Sequence, residues 1–206
     1  MPTFSSKELY MMNGGNKLYI YKDGFGDVYN ATPDEEAEWS QEVVANALAL
    51  VNTEKNKTSL KFAIDNLLFH HYKDIETLLH QKLKESTPSR QTVFATALWT
   101  TFGYTGSFDI LYRILIDHRS ECLDDVFHGL IEFKKHPAAR TFLLACLAGD
   151  DDVLLAKACT TIGMWAYTGL PELRQNDLHE RLRPELKHTP TFQLALEELR
   201  KKLAMD

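Results

Sequence analysis

Thr87-Pro88-Ser89-Arg90-Gln91-Thr92-Val93-Phe94-Ala95-Thr96-Ala97-Leu98-Trp99-Thr100-Thr101-Phe102-Gly103 is the stretch from which the fold is read. Proline presets the first turn of a helix and glycine ends one, so the bracket Thr87-Pro88 to Gly103 predicts a helix over 88–102. Val93, Phe94, Ala97, Leu98 and Phe102 recur at helical spacing between those marks. Arg90 is the only charge, and Thr92, Thr96 and Thr100 form a polar stripe four residues apart. A helix so poor in charge is buried on most sides or opens onto a groove.

The same device recurs on either side. Thr32-Pro33-Asp34-Glu35 has the spacing of a capping box with proline at the first helical position. It opens a stripe of Trp39, Val43, Ala47, Leu48 and Val51, answered after Asn56 by Leu60, Ala63, Ile64, Leu67, Leu68 and His71. Ile75, Leu78, Leu79 and Leu83 mark the helix before 88–102. Phe108, Leu111, Tyr112, Leu115 and Ile116 mark the one after it, paired with Leu123, Val126, Phe127, Leu130 and Ile131 up to His136-Pro137. A further pair is expected over roughly 138–148 and 152–167. After the Leu170-Pro171, Arg183-Pro184 and Thr189-Pro190 breaks, Phe192, Ala195, Leu196, Leu199 and Leu203 form a closing stripe.

The first thirty residues read differently. Leu18-Tyr19-Ile20-Tyr21 and Phe25-Gly26-Asp27-Val28-Tyr29 flank Asp23-Gly24, a dipeptide favoured in tight hairpin turns, so a small N-terminal β-hairpin is expected. With 206 residues, 44% of them hydrophobic, the chain can bury a core as one domain over 1–206. Its expected parts are a hairpin segment at 1–31, helical pairs at 32–169 and a C-terminal cap at 170–206. Residues return in register as well: Tyr104-Thr105-Gly106 reappears as Tyr167-Thr168-Gly169, with Ala95 falling on Ala158 and Phe102 on Trp165.

Paired helices with short turns and with prolines or aspartates at their starts resemble the HEAT-like α-solenoids over about residues 34–169. No sharp family motif is reproduced. The resemblance implies an all-α, α-α superhelix of stacked antiparallel pairs. It also implies a concave face, lined by second helices, that binds proteins, peptides or, less often, nucleic acid.

Net charge is −6, and residues 1–56 carry 4 Lys+Arg against 9 Asp+Glu while 57–206 carry 19 against 20. Nucleic-acid affinity rests on cations that neutralise phosphates, so this balance disfavours DNA or RNA and suits a basic protein partner. No apolar run is long enough for a membrane span, and Met1 to Tyr10 lack the pattern of a secretory signal. Cys122, Cys146 and Cys159 have no metal or disulfide spacing. A cytoplasmic protein with reduced thiols and no membrane is the expectation.

Candidate chemistry is sparse. His70, His71, Asp74 and His80 are metal-capable, but zinc needs three or four converging ligands, and histidines at a helix end complement its dipole. Asp150-Asp151-Asp152 lacks the spacing of a calcium loop and sits where a helix begins. Cys122 with His118 and His128 matches no nucleophile motif, and Gly14-Gly15 and Gly24-Phe25-Gly26 match no phosphate cradle. No catalytic residue, metal or cofactor is assigned. Aromatics crowd the ends of two corresponding helices, which points to Thr96, Trp99, Thr100, Tyr104, Trp165 and Tyr167 as a partner-binding face. The expected function is a non-enzymatic protein-interaction module. It binds through that concave face or the acidic N-terminal end, and an immunity-type inhibitor of a basic toxin is a specific version. The alternative is a HEAT-like DNA-binding or repair enzyme.

Overall fold

The computed structural model describes residues 4–204; Met1–Thr3 of the expected front segment and Met205–Asp206 of the expected cap lie outside them. The described chain is all-α, with helices α1 (Ser6–Met12), α2 (Lys17–Lys22), α3 (Pro33–Thr53), α4 (Lys57–Phe69), α5 (Ile75–Glu85), α6 (Pro88–Phe102), α7 (Ser107–Asp117), α8 (Arg119–Leu130), α9 (Pro137–Ala148), α10 (Asp152–Thr168), α11 (Leu178–Arg181) and α12 (Pro190–Ala204). Short 3₁₀ turns occupy Ile131–Phe133, Pro171–Asp177 and Pro184–Leu186. Among the described residues no helix is long and apolar enough to cross a membrane. The chain forms two compact units, Met1–Lys84 and Glu85–Asp206.

The expected hairpin is absent, and no strand occurs among the described residues. Lys17–Lys22 is helical instead, started by Asn16, whose side chain accepts from the Leu18 N–H. The Asp23-Gly24 pair that suggested a hairpin turn ends this helix. Gly24 takes the left-handed conformation at φ +82°, and the Phe25 N–H reaches back to Ile20 O at 3.0 Å. Positive φ serves a helix C-terminus as readily as a tight turn, and a four-residue apolar run is too short to tell the two periods apart. Only Ile20 of Leu18-Tyr19-Ile20-Tyr21 is buried.

In the first unit α3 packs on α4 and α1 on α3. The Thr32 capping box forms, and α3 buries Trp39, Val43, Ala47 and Val51 as its spacing predicts. Tyr10 closes the front core edge-on against Trp39, with ring centres 5.6 Å apart, and its hydroxyl meets Ser40 Oγ at 2.6 Å. Gly14 and Gly15, both at positive φ, bring the chain over α4: a Cβ on Gly14 would lie 2.0 Å from Asn66 Oδ1, and one on Gly15 2.6 Å from His70 Nε2. Glycine is required at both places.

In the second unit α6 packs on α7 and α8, α7 on α8, and α9 on α10, while α12 covers α9. The α6 stop is as predicted: Gly103 is left-handed at φ +66° and its N–H bonds Trp99 O at 3.0 Å. All five residues of the closing stripe, Phe192 to Leu203, are buried by α12.

Candidate functional site

The six residues of the expected aromatic face lie in the second unit, and the structure uses them unequally. Trp165 is wholly buried, and its Nε1–H donates to Leu130 O at 3.1 Å. Trp99 is half-buried; its Nε1–H donates to Glu132 O at 3.1 Å, and its ring stacks on Phe133 at 5.4 Å and meets His136 at 4.8 Å. Trp165 therefore holds the end of α8, and Trp99 the connector between α8 and α9. Thr96 and Thr100 return their hydroxyls to their own helix, at Thr92 O and Ala97 O, and Thr96 also lies over Gly129 of α8, where a Cβ would come within 2.8 Å of it. Tyr104 and Tyr167 reach the surface. Tyr167, 62% exposed, shares a 3.1 Å hydrogen bond with His179 Nε2, and Arg174 lies 5.8 Å from its ring centre.

The echoed Tyr-Thr-Gly tripeptides also meet the connector. His136 Nε2–H donates to Thr105 O at 3.1 Å, and Lys134 Nζ donates to Thr168 O at 2.8 Å. Their backbones nonetheless differ, since Gly106 precedes α7 at φ −64° whereas Gly169 follows α10 at φ +155°. Trp99, rather than the partly exposed Phe102, matches Trp165 in what it binds.

His70, His71 and the Asp150-Asp151-Asp152 run serve the fold's own turns and caps. His70 Nε2–H donates to Gly14 O at 2.8 Å, and His71 takes a left-handed conformation at φ +52° to end α4. Among the described residues no three His, Cys, Asp or Glu side chains gather as a metal would need. Asp151 caps α10 by accepting from Val153 and Leu154, and it pairs with Arg119 at 2.6 Å. The Leu154 N–H and then Arg119 hold its carboxyl below the usual range. Lys187 lies 3.7 Å from Asp150 and 3.6 Å from Asp152. Burial pushes the thiols of Cys146 and Cys159 up to about 12, so they are protonated and poor nucleophiles near neutral pH.

Surface apolar character concentrates at the other end of the sequence. Met12, Leu18 (77% exposed), Tyr19 (52%), Tyr21 and Val28 stand out to solvent in the first unit. Leu18, Tyr19, Tyr21 and Val28 belong to the acidic N-terminal end that the sequence offers as a docking place, here on a helix and the turn after it rather than on a hairpin. Asp23, Asp27, Asp34 and Glu38 are exposed in the same part of the chain. Lys7 and Lys17 are already paired, with Glu42 and Glu36, each at 2.7 Å. Glu36 also accepts from Tyr29 at 2.9 Å, and burial together with that bond raises the Tyr29 phenol well above its ordinary range.

A cationic groove in the second unit was missed altogether. Lys135, Arg140 and Arg200 line it, and they come from segments too far apart in sequence for any local pattern to join them. A second, open groove beside Ile116 and Val153 has Arg119 and Asp124 on its rim, both in ion pairs. Compared with protein-family models, curated proteins and solved structures, the chain matches none.

Proposed function

We propose that the chain is a non-enzymatic protein-binding module, a short HEAT-like stack of antiparallel helix pairs, and that its acidic front end docks a basic protein. The observation that carries this reading is the exposure of Leu18 and Tyr19 in the same unit, and the same stretch of sequence, as the exposed Asp23, Asp27, Asp34 and Glu38. Exposed apolar and aromatic side chains mark interaction surfaces, and the acidic excess of residues 1–56, 9 Asp+Glu against 4 Lys+Arg, selects a basic partner. An immunity-type inhibitor that covers a basic toxin is the specific form this chemistry suits. The aromatic face in the second unit ranks lower, because its two tryptophans are engaged by the end of α8 and the connector after it, and only Tyr104 and Tyr167 of its aromatics stand at the surface.

The test is a photo-crosslinking amino acid placed at Tyr19 or at Tyr167 in the native cell. A specific protein adduct from position 19, lost on Leu18→Asp and weakened by salt, is expected. An adduct from position 167 alone, or none from 19, overturns the front-end reading.

A further inference from the structure

The groove in the second unit runs between α9, the turn after α10 and the end of α12, and has a volume of about 750 Å³. Lys135, Arg140 and Arg200 face it, with Glu172 as the one carboxylate among its described lining residues, in a chain whose net charge is −6. Arg140 is fixed there: it is 8% exposed, its Nε donates to Lys134 O at 2.7 Å and its Nη1 to Leu203 O at 3.0 Å. Lys135 and Arg200 are exposed, and neither has a carboxylate partner among the described residues. Lys135 and Arg200 thus bring two unneutralised cations to one groove beside the anchored Arg140, and an oxyanion between them gains charge-assisted hydrogen bonds.

The walls say what else the ligand carries. Leu144 and Leu170 give the groove an apolar side, and its volume falls within the range of small-molecule sites. We propose that the groove binds a small amphiphilic anion, an oxyanion head held by Lys135 and Arg200 above the anchored Arg140 on an apolar body that lies against Leu144 and Leu170. This site is separate from the front end, so it stands or falls independently of the docking reading.

The probes are octyl phosphate, octanoate and inorganic phosphate, each titrated below any micelle concentration while backbone amide resonances are followed. Saturable shifts at Thr141, Gly169 and Ala204 with octyl phosphate or octanoate are expected, and the tighter of the two identifies the head as phosphate or carboxylate. Inorganic phosphate, lacking the apolar body, binds about tenfold more weakly or worse. The double variant Lys135→Glu/Arg200→Glu loses about tenfold or more in affinity while keeping its helical circular dichroism. Glu172→Gln, which leaves all three cations in place, tightens binding severalfold. Shifts that do not saturate or that centre on Leu18 to Val28, or unchanged affinity in the folded double variant, would overturn the proposal.

Discussion

Met1–Lys84 contains no arginine, whereas Glu85–Asp206 holds all eight in the chain. The difference follows how each unit ends its helices. The first relies chiefly on local devices: capping boxes at Ser5 with Glu8 and at Thr32 with Glu35, an Asn56 cap on α4, and left-handed residues at Gly14, Gly15, Gly24 and His71. The second adds long side chains that reach distant carbonyls, from Trp99, Trp165, Lys134, His136 and Arg140. Local caps fix where a helix begins; long-range donors fix which helix lies beside which.

The sharpest way to break this contrast is Arg140→Met in the second unit. It removes two charge-assisted bonds and strands the carbonyls of Lys134 and Leu203, so we expect a loss of about 3 kcal/mol in urea unfolding. Gly15→Ala should be the front unit's counterpart at about 2 kcal/mol, because φ +80° and the clash with His70 act together. If Gly15→Ala proves silent, the first unit does not depend on its backbone turns. Thr32→Ala, read by helical circular dichroism and thermal melting, should cost about 1 kcal/mol.

The Thr32 cap also carries a pH dependence. Hydrogen bonds from the Thr32 backbone and then its hydroxyl hold the Glu35 carboxyl below its ordinary value of 4.5. Glu35 thus takes up its proton more readily in the unfolded chain. The stability it contributes is complete above that ordinary value and is lost as pH falls through the native one; Glu35→Gln flattens that part of the acid melt. The smallest effect is a gain: His71→Gly relieves a left-handed non-glycine residue and should stabilise the first unit by about 0.5–1 kcal/mol.

Where a single residue type carries the physics, the fold was legible. Thr32-Pro33, Thr87-Pro88 and Gly103 mark helix ends by their own chemistry, and the buried positions of α3, α4 and α12 follow their spacing. The Ser5-x-x-Glu8 spacing was as readable as that of Thr32-x-x-Glu35, and it would have announced α1 and weakened the case for a hairpin. Asp23-Gly24 misled because positive φ has two uses. The two tryptophan bonds were out of reach for a different reason. Their acceptors are backbone carbonyls, which every residue has, so nothing in the letters for Leu130 or Glu132 marks them as partners of tryptophans more than thirty positions away. The cationic groove was hidden in the same way, by distance along the chain.

The placement of the three tryptophans gives the protein a built-in set of optical reporters. Trp39 is buried in the first unit, and Trp99 and Trp165 both answer to the second. Trp39→Phe leaves emission that follows only the second unit, and replacing Trp99 and Trp165 together leaves emission that follows only the first. Trp165, sealed from water, should emit at shorter wavelength and resist acrylamide quenching better than half-exposed Trp99. Red-shifted emission on loosening of the connector would then show a change in packing before any helix is lost.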